Sequence, residues 1–170
     1  REWRALVRRI RNVKRYVRIA VAGKYFTTGK FVLSDSYISV LEAVKHAAWR
    51  FGYKADIHWI DPEDYEKNPA KIRELEKFDG IIVPGGFGSR GIEGKLKVIR
   101  YARTKKIPYF GLCYGMQLAI VEFARNVLGL RKADTTEINP HTPHPVIATM
   151  LEQETNIKNK DYGGSMRLGT

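Results

Sequence analysis

Apolar and polar positions along the chain switch repeatedly between a two-residue and a three-to-four-residue period. "YVRIAVAG" (Tyr16–Gly23) is a short, partly β-branched run that ends in glycine, and it predicts a buried strand. In "SDSYISVLEAVKHAAWRFG" (Ser34–Gly52), Ile38, Leu41, Val44 and Ala48 recur at helical spacing, with Ser34 or Asp35 as N-cap and Gly52 as the stop. A strand at "KADIHWI" (Lys54–Ile60), a charged helix from Pro69 to Phe78 and a strand at "GIIVP" (Gly80–Pro84) follow. Next come a helix at "EGKLKVIRYARTKK" (Glu93–Lys106), a strand at "PYFGL" (Pro108–Leu112) and a helix at "YGMQLAIVEFARNVL" (Tyr114–Leu128).

Strands separated by helices point to an α/β fold, a three-layer sandwich whose mostly parallel, flavodoxin-like sheet is covered on both faces. Two stretches depart from this rhythm. Before it, Trp3, Leu6, Val7, Ile10 and Val13 recur at helical spacing among arginines, which reads as a linker or amphipathic helix over residues 1–16. After Gly129 the chain becomes loop-rich and proline-rich, and "GGSMRLGT" (Gly163–Thr170) reads as the start of a further strand. The expected organisation is therefore a linker (1–16) and one domain (17–170).

Composition narrows this picture. At 170 residues and 44% hydrophobic content, the chain has the size of one globular domain with a sizeable core. No apolar run approaches the roughly 20 residues of a membrane span, and the basic start lacks a signal core, so a soluble, cytoplasmic protein without a membrane partner is expected. A single cysteine forms no internal disulfide, and the four histidines lack partners at metal-ligand spacing, so no metal site is predicted. The net charge of +12 raises nucleic acid as a partner. Its distribution, an arginine-rich start and then scattered helical positions, reads instead as solvated surface, and nucleic-acid binding is not expected.

"GKYFTTGKF" has glycines and a lysine after a strand, but it is not a phosphate loop. Five residues separate Gly23 from Gly29, where a Walker A loop has four, and Phe31 stands in place of the hydroxyl residue.

The one cysteine stands in stronger company. Cys113 lies at the predicted strand-to-helix junction "GLCYG", with Gly111 and Gly115 two residues to either side. That spacing suits a nucleophile elbow, a turn too tight for side chains two residues from the nucleophile. The start of a helix beside the sulfur favours a thiolate. A buried, inert cysteine is the other reading of the same residue. A second glycine cluster, "VPGGFGSRG" (Val83–Gly91), ends another predicted strand, where its backbone N–H groups could meet an oxyanion together with that of Tyr114.

"VPGGFGSRGIEGK", "YFGLCYGMQLAIVEFARNV" and "GGSMRLG" together resemble the glutaminase domain of the CTP synthase family, a class I glutamine amidotransferase. "VRIAVAGKY", "DSYISVLEAVKHA" and "WID" extend the resemblance to about Val17, and the basic start resembles the linker to an amidoligase domain. The resemblance implies that Cys113 attacks L-glutamine, forms a γ-glutamyl thioester and releases ammonia for ATP-dependent amination of UTP to CTP. It implies oxyanion or substrate contacts at Gly86, Tyr114, Gly115, Met116, Gln117 and Glu137, and sensing of the allosteric activator GTP at Phe87, Arg90, Gly91 and Glu93. No cofactor is implied in this domain; ATP and Mg²⁺ belong to the linked amidoligase domain, and a homo-oligomer, a tetramer in the family, is implied as well.

Tyr114 stands where the family more often has leucine, a change that keeps the backbone N–H. The loop "YFTTGKFVLSD" (Tyr25–Asp35) is longer than the usual connection. The family's catalytic histidine and glutamate lie past Thr170, and His46, His58, His141 and His144 do not match that motif, so the domain reads as truncated and the isolated segment is expected to be inactive. Two alternatives stay open: a non-catalytic regulatory or assembly module of the same fold, and another hydrolase or stress-response protein built on a cysteine elbow.

Overall fold

The structure, a computed structural model, describes residues 2–23, 27–28, 31–32, 37–86 and 90–150, with backbone alone at 27–28 and 31–32. In chain order the elements are α1 (Glu2–Asn12), β1 (Arg15–Ala22), β2 (Thr27–Thr28), β3 (Phe31–Val32), α2 (Ile38–Arg50), β4 (Tyr53–Ile60) and α3 (Pro62–Lys67). A 3₁₀ segment (Pro69–Lys77) leads to β5 (Gly80–Val83), α4 (Ile92–Lys105), β6 (Tyr109–Gly111), α5 (Tyr114–Asn126), β7 (Ala133–Thr135) and β8 (His144–Ile147). Among the described residues four strands form the main sheet in the order β4-β1-β5-β6, and every pairing in it is parallel.

Alternation along β1 explains the layering. Ala20 and Ala22 face the larger core with Ile81 and Val83 of β5, beneath Leu96, Val98 and Ile99 of α4 and Leu118 and Val121 of α5. Ile19 and Val21 face the opposite side with Ile57, Trp59 and Ile82, against Val40 of α2 and Tyr37. Small residues on one face and larger ones on the other let helices approach both sides of a buried parallel sheet. The predicted three-layer α/β sandwich is thus present. On the α2 side the layer is open: Val17, Ile19, Val44, Phe51, Phe110 and Leu112 are among the residues lining an apolar groove of about 620 Å³.

Several local readings change. The charged helix expected from Pro69 is preceded by a short helix, α3, that the pattern did not predict. Asp61 caps α3 by accepting from the Glu63 N–H at 3.0 Å, with Pro62 at the first helical position. Pro69 then disfavours helical backbone at Asn68, and the following residues wind as a 3₁₀ segment. The stretch after Gly129, expected to be loop, carries the short parallel pair β7–β8. On α2, Leu41 and Ala48 are buried as expected, whereas Ile38 is exposed. Tyr37 occupies the N-cap position without a side-chain cap bond; Ser34 and Asp35, the expected caps, lie outside the described residues, as does the strand expected at Gly163–Thr170. Gly52 does follow the end of α2, with φ of 76°. The basic start forms α1, with Trp3 and Val7 exposed. Among the described residues no helix is long and apolar enough to cross a membrane.

Candidate functional site

β6 delivers the chain to a sharp corner. The Leu112 N–H donates to the Val83 carbonyl at 3.0 Å, which continues the β5–β6 ladder to the last residue before the cysteine. Cys113 then adopts φ 51° and ψ −109°, and α5 starts at the next residue. Positive φ at a non-glycine residue is uncommon, and strain of this kind is held only where the surroundings fix it. Here the surroundings are two close approaches. A Cβ on Gly111 would lie 2.6 Å from the Met116 nitrogen, and one on Gly115 would lie 1.9 Å from the Val83 oxygen. The Tyr109 O–H donates to the Gly115 carbonyl at 2.8 Å and ties the start of the helix back to the strand. The corner therefore has the nucleophile-elbow form that the glycine spacing predicts, and Cys113 is exposed, not buried.

The second glycine cluster meets this corner. A Cβ on Gly85 would sit 3.4 Å from Cys113 Cβ and 3.7 Å from Sγ, so the bare backbone of the loop runs beside the thiol. The Tyr37 O–H donates to the Gly85 carbonyl at 2.9 Å, and Gly86 takes φ 146°, a conformation that favours glycine. Phe87 lies outside the described residues.

Of the remaining predicted site residues, Tyr114, Gly115, Met116 and Gln117 form the first turn of α5 beside Cys113. The Tyr114 ring is buried, with Lys95 Nζ of α4 5.6 Å from its centroid. Its O–H meets no hydrogen-bond partner among the described residues, and burial, with the Glu137 and Asp134 carboxylates behind it, pushes the phenol up. Met116 is exposed and Gln117 half-buried. Glu137 is exposed in the turn after β7. Its neighbour Ile138 packs against the core cluster that contains Tyr114 and Leu118.

Arg90, Gly91 and Glu93 gather at the start of α4, where the first two meet α3. Arg90 Nε lies 2.6 Å from Glu63 Oε1, Gly91 holds the left-handed N-cap position at φ 71°, and Glu93 pairs with Arg125 at 3.1 Å. The Gly94 N–H donates to Glu66 at 2.8 Å, which seats this end of α4 on α3. Three residues that the sequence pattern did not single out bond to segments of the candidate site: Tyr37 to Gly85, Tyr109 to Gly115 and Arg125 to Glu93. Each looks like an ordinary aromatic or helix-end position, and only the tertiary contacts give it a role.

His46 lies against Trp49, while His58 pairs with Asp56 at 3.0 Å and faces Phe78. His141 and His144 are exposed around the start of β8. Among the described residues, no group of three or more His, Cys, Asp or Glu side chains is placed to hold a metal.

A family model described as glutamine amidotransferase class-I matches residues 32–169. The chain belongs to the class-I glutamine amidotransferase family. This amidotransferase chain is 51% identical over 169 residues to a CTP synthase of Halalkalibacterium halodurans, covering 99% of the chain and 30% of that protein. A CTP synthase of Pyrococcus abyssi is 50% identical over 169 residues with the same coverage. Among solved structures, the glutaminase domain of Trypanosoma brucei CTPS with bound acivicin matches with a TM-score of 0.71 and 40% identity, over 79% of this chain and 50% of that one. The resemblance to CTP synthase glutaminase domains read from the sequence is thus upheld, and so is the amidotransferase fold. The chain spans about 30% of the length of the curated relatives it matches.

Proposed function

We propose that this chain is the glutamine-hydrolysing part of a CTP synthase and supplies ammonia to a covalently linked amidoligase domain for ATP-dependent amination of UTP. The observation that carries the reading is the elbow: Cys113 at positive φ, framed by two glycines that leave no room for a side chain, with the Gly85–Gly86 backbone alongside. In this mechanism Cys113 Sγ attacks the carboxamide carbon of glutamine, and the carbonyl electron pair moves onto oxygen. The N–H groups of Tyr114 and Gly86 are the donors for that oxyanion, the former at the start of α5 where the helix dipole adds partial positive charge. Collapse of the intermediate breaks the C–N bond, the nitrogen leaves as ammonia after taking up a proton, and a γ-glutamyl thioester remains. Water then attacks the thioester carbon, and its breakdown returns the thiol and releases glutamate.

Gln117 and Glu137 are proposed to hold the glutamine backbone, Glu137 through the α-amino group. Arg90, Gly91 and Glu93, with Phe87, are proposed as the GTP-sensing segment, while ATP and Mg²⁺ act in the amidoligase domain. The proton transfers need a general acid–base, a role that the family resemblance gives to a histidine, and such catalysis is worth about 10² to 10⁴ in rate.

The test uses the full-length enzyme with two nitrogen sources. Cys113→Ala is expected to abolish glutamine-dependent CTP formation and to leave synthesis from supplied ammonia intact. Loss of both activities would assign Cys113 a structural role. Retention of both would show that another group attacks glutamine, and a parent enzyme unable to use glutamine would point to a non-catalytic module.

A further inference from the structure

Arg125, on the last turn of α5, makes three contacts with its guanidinium, reaching parts of the chain that lie on either side of the elbow. Its Nε donates to the Ala133 carbonyl at 2.6 Å, its Nη2 lies 2.9 Å from Asp134 Oδ2, and its Nη1 lies 3.1 Å from Glu93 Oε1. A planar, permanently charged fork holds several acceptors in a fixed mutual geometry, which the single ammonium of a lysine does not.

The hold on Ala133 and Asp134 passes directly into the turn that carries Glu137. Asp134 Oδ1 accepts from the Thr135 N–H at 2.9 Å. Thr135, which is 1% exposed, accepts from the Ile138 N–H through Oγ1 at 3.2 Å, and its carbonyl accepts from the Asn139 N–H at 3.0 Å. Across β7–β8, the Thr136 N–H donates to the Ile147 carbonyl at 2.9 Å. The backbone on both sides of Glu137 is therefore fixed by bonds whose upstream anchor is Arg125. At its other end, Arg125 grips the first turn of α4, close to Arg90 and Gly91.

We propose that Arg125 is a positioning residue for glutamine binding: it sets the turn that presents Glu137 beside the elbow and ties that turn to the first turn of α4 through Glu93. This rests on the proposed function, in which Glu137 contacts glutamine. Arg125 touches no reacting atom in this scheme, so its loss acts on how substrate is held and not on the thiol chemistry.

The experiment compares Arg125→Gln, Arg125→Lys, Asp134→Asn, Glu137→Ala and the double variant Arg125→Gln/Glu137→Ala in the full-length enzyme, with L-glutamine and with ammonium chloride as nitrogen sources. A hydrogen bond to a charged group is worth about tenfold or more in binding. Arg125→Gln is therefore expected to raise the KM for glutamine by about tenfold or more with kcat changed by less than about threefold. Arg125→Lys and Asp134→Asn should fall between it and the parent, and ammonia-dependent synthesis should be unchanged in all of them. The double variant should match Glu137→Ala alone, because Arg125 acts through Glu137; residues that act as one unit do not add.

An unchanged KM in Arg125→Gln overturns the proposal, as do additive defects in the double variant. If Arg125→Gln does not yield folded protein, the milder Arg125→Lys and Asp134→Asn variants decide on the same criterion. A parent enzyme that makes CTP from ammonia but not from glutamine overturns the underlying reading instead, which separates the two failures.

Discussion

Gly115 offers the most direct test of the elbow, because the structure states how badly a methyl group would fit. In Gly115→Ala the new Cβ would lie 1.9 Å from the Val83 oxygen, 2.8 Å from its carbonyl carbon and 3.1 Å from its Cβ. Two of these neighbours are backbone atoms of a central strand, so no side-chain rotation relieves the overlap. Restoring an ordinary contact requires the start of α5 to move away from β5 by about an ångström. Overpacking of this kind costs about 1 to 3 kcal/mol of stability. The same displacement carries the Tyr114 N–H and the sulfur off their alignment, for which about 10²-fold in catalysis is the expected loss. Glutamine-dependent CTP formation should thus fall by about two orders of magnitude, while ammonia-dependent synthesis stays near that of the parent. Denaturant unfolding should register the stability loss in parallel. Gly80→Ala is the matched control, since its Cβ would meet only the Ile19 Cδ1 at 3.3 Å before anything else, a side-chain end that can turn aside. If Gly115→Ala keeps parental glutamine kinetics, the close approach at Val83 does not shape the nucleophile and the elbow argument fails.

Arg103→Met should destabilise the fold by about 2 to 3 kcal/mol: it strips the Glu122 carboxylate, 1% exposed, of bonds at 2.9 and 2.8 Å, and the cost is discounted because Arg103 is itself one-third exposed. Urea unfolding checks this, and a shift of less than about 0.5 kcal/mol would mean that water already serves the carboxylate. Tyr37→Phe removes the O–H that holds the Gly85 carbonyl, and is expected to lower kcat/KM for glutamine several-fold with about 1 kcal/mol or less of stability lost. Steady-state kinetics with both nitrogen sources reads it, and equal losses with glutamine and ammonia would rule out a role specific to the loop.

The sequence carried the site's frame because that frame is local. A β-branched run closed by glycine, a cysteine between glycines and a following helical period all lie within a few residues of one another, and backbone sterics alone give them meaning. β7 and β8 were not legible for the converse reason. Ala133–Thr135 is too short to show a period, and Pro145 within β8 argues against a strand unless it sits at an edge, where a lost N–H costs little. α3 was missed because six residues are too few to show a period, although Asp61 before Pro62 is a readable helix start, and the segment expected as a helix from Pro69 winds as 3₁₀. Tyr37 bonds Gly85 48 residues away and Arg125 pairs with Glu93 32 residues away, partners that no spacing rule reports, while Tyr109 reaches Gly115 only across the turn that the fold bends. The match of Glu137 to the family's substrate-binding position came from resemblance alone, since an isolated glutamate in a loop reads as surface charge.

Among the described residues the main sheet contains no hairpin, and this bears on how the corner at Cys113 is built. Ile19 must find Gly80 and Ile81 must find Tyr109, partners separated by whole helices. Such distant parallel pairings assemble slowly. β6 adds at the edge of the sheet, and the close approach at Val83 that bends Cys113 exists only once that strand has docked. On this topology the strained corner at Cys113 depends on contacts that only the paired β5 and β6 supply.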